Sequence, residues 1–468
     1  MEEPEERQKR FHRQEAVGER DGKLLVPMSP LLGGELKVLE VETDVVKHIV
    51  RKSAPSPRGW YKDKHTPLKI RPRPCYTETL LTMPYGGYCH VGCAFCYVNY
   101  GTRGYKSTLL PTINDSYPEQ MDKWLSKMMV TGQAYISSFT EPFQRLEVKY
   151  HTTERLSQVF TKHGVPIFYL SRLIPPSWVE EVLLSNPYNY MQWSVSTSNP
   201  DHLRKLSPGT FRLEELQDSI RHYASLGIYT SFQINPILPG ITTLQEILDL
   251  VTLIANAGGN HVIFKFVEES YPVKPLLVKR LRDTGLPGIE EFEKLFCQRM
   301  GSLYYIQQDL RLEWLKELLR HTRSLGITMS LCYEYYYNGG AGANLAPWFT
   351  TSDQCHGPAV PLHYRPASGE TFQPLPGCYR KGCLYCENHG TRACDNEMLL
   401  QAKALGYKDY REIVLKGNLE GWGMAESCPQ PDKANMRGCN PNLATDAELW
   451  GLPPVDDVLA DPNTVSLT

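Results

Sequence analysis

Three cysteines, Cys89, Cys93 and Cys96, stand in the run Tyr-Cys-His-Val-Gly-Cys-Ala-Phe-Cys-Tyr at 88–97. Thiolates at this CxxxCxxC spacing can hold three corners of a cubane 4Fe-4S cluster and leave the fourth iron without a protein ligand, the position at which chemistry can occur. Two alternatives fit less well. A structural zinc site is usually closed by a fourth nearby ligand and built from CxxC pairs at both ends. Three thiols this close are a poor disulfide framework. A second group, Cys378, Cys383 and Cys386, with Cys394 eight residues later and Cys355 upstream, offers enough thiolates for a closed tetrahedral site, either a second 4Fe-4S cluster or zinc. Cys332, close to Tyr333, Tyr335, Tyr336 and Tyr337, is either a small buried residue or a reactive thiol.

Such groups need a scaffold that brings them together. Between 77 and 266, short apolar runs at 79–83, 134–138, 166–170, 190–195, 229–235 and 261–266 alternate with amphipathic stretches near 118–129, 152–163, 176–184, 212–226 and 244–256. Six strands separated by helical patterns predict an α/β unit with a parallel sheet. The cysteine triplet then follows the first strand, at the C-terminal edge where barrel folds carry their sites. A further helix and strand, 310–325 and 327–331, extend the pattern by one unit. Periodicity alone suits a doubly wound sheet equally well. Around this unit, taken as 77–335, the chain divides into a polar tail at 1–22 expected to be disordered, a basic segment at 23–76, a cysteine-rich segment at 336–440 and an acidic tail at 441–468.

The formal charge of −2 gives no global signal for nucleic acid or membrane. No apolar run reaches the roughly 18 residues that span a bilayer, and residues 1–21 lack the apolar core of an export signal. Seven of the thirteen cysteines fall in the two tight groups, which without an export signal points to metal rather than disulfides, and to the cytoplasm. A local exception to the neutral balance is the strip Lys47, Arg51, Lys52, Arg58, Lys62, Lys64, Lys69, Arg71 and Arg73, interleaved with Trp60 and Tyr61. It reads either as a solvated surface or as a track for a phosphate backbone with aromatics that stack on bases.

The triplet, with Phe95 before its third cysteine and Tyr97 after it, resembles the radical S-adenosylmethionine (SAM) enzymes. The resemblance implies a partial (β/α)6 barrel, here with a C-terminal cysteine-rich metal-binding extension. It also implies that the open iron chelates SAM and that an electron from a flavodoxin- or ferredoxin-type donor drives its cleavage to a 5′-deoxyadenosyl radical. The run Thr140-Glu141-Pro142-Phe143-Gln144 is similar to the Thr-Asp-Pro-Tyr-Gln of the spore photoproduct lyase-like branch. By that likeness Thr140 and Glu141 meet the amino group of SAM, although Glu141 could instead cap the next helix. Ser171 ends the third strand beside Arg172, and Ser194 and Ser196, two residues apart, face one side and suit a ribose. Asn235 opens an apolar turn, 235–240, fit to cover a purine. The stretch 203–209 resembles a turn of the same branch, with Ser207 in place of its usual acid.

That branch's lyase returns a hydrogen atom from a cysteine soon after the cluster loop, whereas this chain has none between Cys96 and Cys297. Cys332 is the candidate substitute. The expected reaction is hydrogen abstraction from a small molecule or peptide, with modification or repair of a nucleic acid as the alternative. A non-catalytic iron–sulfur or zinc module is the reading from another class, and the ordered polar groups at the strand ends count against it.

Overall fold

Seven strands form one parallel sheet: β1 (Thr79–Thr82), β2 (Gln133–Ile136), β3 (Ile167–Ser171), β4 (Tyr190–Val195), β5 (Tyr229–Ile237), β6 (His261–Phe266) and β7 (Thr328–Leu331). The computed structural model describes residues 79–374 with gaps at 88, 98–110, 114, 127–129, 138, 272, 301–302, 333, 339–340, 353–354, 359, 361–362 and 366–368. It also describes 443–449, 454–460 and five short strands before residue 60. Most of the basic strip and four cysteines of the second group, Cys378, Cys383, Cys386 and Cys394, lie outside the described residues.

Each strand pairs in parallel with the next in sequence, and Pro57–Arg58 adds an antiparallel edge to β1. This order decides between the two architectures that periodicity allowed. A doubly wound sheet reverses its order at a switch point, whereas an unbroken order with right-handed crossovers puts every helix on one face and curls the sheet into an open barrel. The seventh strand is the extra unit anticipated at 327–331. The connecting helices are α1 (Tyr117–Leu125), α2 (Thr152–His163), α3 (Trp178–Ser185), α4 (Pro200–Leu206), α5 (Leu213–Ser225), α6 (Leu244–Asn256), α7 (Lys274–Asp283), α8 (Ile289–Leu295) and α9 (Gln308–Leu325).

Strand alternation gives the sheet two chemically distinct faces. Ile136, Ile167, Trp193, Val195, Phe232, Ile234, Phe264 and Leu331 join Phe160, Leu183, Ile220, Leu250 and Leu318 of the helices in one core. Each such fully buried side chain contributes about 1.5–3 kcal/mol. The intervening residues face the barrel interior and are largely polar: Gln192 and Ser194 on β4, Ser231, Gln233 and Asn235 on β5, His261 and Lys265 on β6, and Thr328 and Ser330 on β7.

The N-terminal end of this interior is closed by a strap from the segment that composition placed beyond the barrel. Thr351 exchanges two hydrogen bonds with Met329 of β7, its N–H donating at 2.9 Å and its hydroxyl accepting at 3.0 Å. The carbonyl of Cys355 then accepts from Ser330 and from His261 Nε2. The ring of His356 packs against Phe168 at 5.0 Å and Tyr135 at 5.9 Å. His363–Tyr364 pairs with Val130–Thr131 just ahead of β2. Gly357, at φ 104, is required there, since a Cβ would lie 2.4 Å from the Tyr229 hydroxyl. Burial pushes the His261 imidazole down to about 3, so it sits neutral in this layer. Cys355 is therefore on the barrel floor, at the opposite strand ends from the triplet. The acidic C-terminal residues dock on α9, through Lys316 with Asp456 at 2.6 Å and through Arg323 with Glu448.

At the other end, one buried ion pair ties three elements. Arg311 of α9 is 1% exposed and donates to Glu334 at 2.6 Å, to Tyr335 O at 2.8 Å and to Ile306 O at 3.0 Å. Glu334, 0% exposed, also accepts from Phe266 N at 2.8 Å. Removing one member of such a pair leaves an uncompensated buried charge. Glu334→Ala is expected to lower unfolding stability by about 3–5 kcal/mol in a denaturant titration, with β6, β7 and α9 loosened together.

Candidate functional site

The loop after β1 folds on itself through two backbone turns. Gly92 N–H donates to Cys89 O and Cys96 N–H to Cys93 O, both at 3.2 Å, and Gly92 takes a φ of 68°. The three thiols thereby come into mutual electrostatic contact. Burial, and then the Glu141 carboxylate, hold the Cys89 thiol well above its usual range; burial does the same for Cys93 against the pull of Arg172. Thiols in this setting ionise when a metal cation compensates the charge.

The turn after α4 acts as a mould for this loop. Ala94 N–H donates to Leu206 O at 2.8 Å, Gly209 N–H to Val91 O at 2.9 Å, and the Ser207 hydroxyl to Cys93 Sγ at 3.2 Å. Arg280 of α7 reaches Cys93 O at 3.4 Å. The approach at Gly209 is so close that a Cβ would stand 2.5 Å from His90 O and 2.8 Å from Val91 Cα. Both of those atoms are backbone and have little room to give.

The ends of β2 to β5 gather around the loop. Glu141 is buried and accepts from Ser171 Oγ at 2.6 Å, Arg172 N–H at 2.8 Å and Phe143 N–H at 3.1 Å. Burial nevertheless holds its carboxyl above the ordinary range. Arg172 rests its guanidinium over the Phe95 ring at 4.9 Å and donates to Ser194 O at 3.3 Å and Asn235 O at 2.6 Å. A single side chain thus joins the cysteine loop to β4 and β5. Thr140 lies in the same place but donates its hydroxyl to Tyr85 O at 2.6 Å. Gln144 pairs with His90 Nδ1 at 3.0 Å, which fixes the residue next to Cys89.

Cys89, Cys93, Cys96, Phe95, Thr140, Glu141, Ser171, Ser194, Ser196 and Asn235 are thus all placed around one mouth at the C-terminal strand ends. Cys332 follows β7 on the opposite edge of the sheet, its N–H donating to Phe264 O at 3.0 Å. Alternation turns it inward beside Lys265, whose ammonium lies 3.1 Å from Glu268 and 3.7 Å from Glu334. Lys265 is a residue that motif reading did not name, and Arg172, Gln144 and Ser207 stood in the quoted motifs without a role of their own. Arg172 had a usable signal, its strand-end position two residues from Leu170 on the inward face.

An iron–sulfur cluster with SAM fits these residues. The three thiols supply the donor set, and Glu141 keeps one of about four carboxylate lone pairs for an ammonium. The hydroxyl of Ser196 and the amide nitrogen of Gln144 are buried without a hydrogen-bond partner among the described residues. Buried polar atoms of that kind call for a ligand.

No protein-family model matches the chain. It is 41% identical over 393 residues to a radical SAM Nalpha-GlyT isomerase of Pseudomonas phage M6, covering 81% of this chain and 82% of the relative. Among solved structures it is similar to a spore photoproduct lyase complexed with a dinucleoside spore photoproduct, at 16% identity and a TM-score of 0.41, over 61% of this chain and 88% of that one. It is also similar to SuiB of Streptococcus suis, at 10% identity and a TM-score of 0.34, over 53% and 47% of the two chains. Identity that runs through four-fifths of both sequences extends far beyond the cysteine motif, and with it the chain belongs to the radical SAM enzymes.

Proposed function

We propose that the chain is a radical SAM isomerase whose substrate is of the Nalpha-GlyT type named for its phage relative. The observation that carries this reading is the 41% identity over 393 residues, across 82% of that relative. Cys89, Cys93 and Cys96 hold the 4Fe-4S cluster, and cluster and SAM together supply a 5′-deoxyadenosyl radical when bound. Glu141, with Thr140 and Ser171 behind it, receives the ammonium of SAM, and Arg172 offers the cation for its carboxylate. Ser194 and Ser196 face the ribose, while Asn235 and the turn after it cover the base.

An isomerisation conserves atoms, so a hydrogen removed from the substrate has to be returned. Cys332, inward on β7 beside Lys265, is the thiol we assign to that return: its S–H bond breaks as the substrate C–H bond forms, and the thiyl radical left on sulfur is reduced back to the thiol by an electron from the same external donor and a proton from water. A flavodoxin- or ferredoxin-type protein is the electron source. The reading also keeps a second cysteine-ligated site at Cys378, Cys383, Cys386 and Cys394, with Cys355 as an alternative ligand, as an additional cluster or zinc. Of these only Cys355 is described, and it sits half-buried on the floor. No helix among the described residues is long and apolar enough to cross a membrane.

Reconstituted protein given SAM, dithionite and Nalpha-GlyT is expected to convert it to an isomer of unchanged mass, read by chromatography with mass spectrometry. If SAM is cleaved but Nalpha-GlyT comes back unaltered, the isomerase reading fails while the family assignment stands. Cys332→Ala should continue to release 5′-deoxyadenosine while isomer formation falls to background; undiminished isomer would remove Cys332 from the mechanism. Arg172→Ala should weaken SAM binding by roughly 10- to 100-fold, the scale of one hydrogen bond to a charged group, in a calorimetric titration of the reconstituted protein.

A further inference from the structure

We propose that Ser207 sets the reduction potential of the cluster held by Cys89, Cys93 and Cys96, by donating its hydroxyl proton to the Cys93 sulfur. The contact is 3.2 Å and lies wholly inside the protein, with Ser207 0% exposed. It is held from both sides in sequence. Leu206 O takes the Ala94 N–H at 2.8 Å, and Gly209 N–H reaches Val91 O at 2.9 Å. The main chain that carries Ser207 therefore cannot move away from Cys93 without moving the loop as well.

When Cys93 ligates iron it does so as a thiolate, a stronger acceptor than the thiol. A hydrogen bond to a ligating sulfur draws electron density from the cluster and favours the reduced, more negative state, which raises the potential. Burial makes the effect large for one bond, because no water is at hand to replace the donor when it is removed. Ser207 is a positioning residue: it touches a cluster ligand and neither SAM nor substrate. The inference depends on the cluster and is independent of the substrate.

The test uses the full chain with its cluster reconstituted anaerobically, and measures iron per chain and the midpoint potential by EPR-monitored redox titration. Ser207→Ala is expected to bind as much iron as the parent and to titrate at a more negative potential. Ser207→Thr should return the potential towards the parent value, and Ser207→Asp should move it further negative than alanine does. Gly209→Ala serves as the contrast: it displaces the loop and should lower iron content, which Ser207→Ala leaves unchanged. Full iron with an unchanged potential in Ser207→Ala would overturn the proposal. So would a loss of iron in Ser207→Ala with the parent potential in the remainder, since that is the signature of a purely structural contact.

Discussion

The site depends on burying the charge of Glu141 beside the half-buried Arg172, at the edge of the sheet, without leaving either uncompensated. A carboxylate taken out of water is costly unless it is hydrogen-bonded. Glu141 meets that demand with three donors, two of them from Ser171 and Arg172 at the end of β3. Arg172 meets it with two main-chain carbonyls, on β4 and β5, and with the face of Phe95 in the cysteine loop. The requirement that these charges be satisfied fixes the spacing of four consecutive strand ends and the seat of the loop at once. Tolerance for rearrangement here is small, since each donor or acceptor also belongs to another element.

A second constraint comes from the two faces of the sheet. Its helix side is mostly apolar, which gives β1 to β7 their stability, so the interior is free to be polar. Polar side chains inside a barrel must pair with each other or with a ligand. Near the floor they pair with each other and with the strap, as Gln192 does with Ser231 at 3.0 Å and with His356 at 3.1 Å. Towards the mouth, the Ser196 hydroxyl is left without a hydrogen-bond partner among the described residues, at the strand ends that gather around the cysteine loop.

Much of this was legible locally and much was not. The strands of 190–195 and 261–266 coincide with their apolar runs because both of their faces are buried, which leaves a short local pattern of consecutive residues. The triplet and the 140–144 run are short motifs whose chemistry follows from residue type. By contrast, the 118–129 helix is shorter than its pattern, Tyr117–Leu125, with Ser126 closing its last turn through Asp122 O. Thr140 illustrates a different limit: its hydroxyl is committed to Tyr85 O, 55 residues away, a pairing no local pattern contains. Arg172 on Asn235 O and Ser207 on Cys93 span 63 and 114 residues. The strap escaped notice for the same reason, because Gly and Pro in 350–374 read as irregular chain when their partners on β6 and β7 are out of view.

The position of Cys332 is where fold and proposed chemistry meet. A hydrogen donor set early in a barrel would rise from the same side as the cluster loop, whereas β7 is the last strand and lies at the far edge of the sheet. On the proposed chemistry, hydrogen removal would start at the β1 side and hydrogen return would come from the β7 side, so a substrate between them would be approached from two directions. Lys265 and Glu334 beside Cys332 are held by Glu268, Arg311 and the main chain of Phe266, which makes that edge rigid rather than adaptable. In an isomerase such an arrangement matters: the radical formed at one position has to rearrange before it meets the thiol, and separating the abstracting and donating groups across the barrel provides the interval in which it can do so.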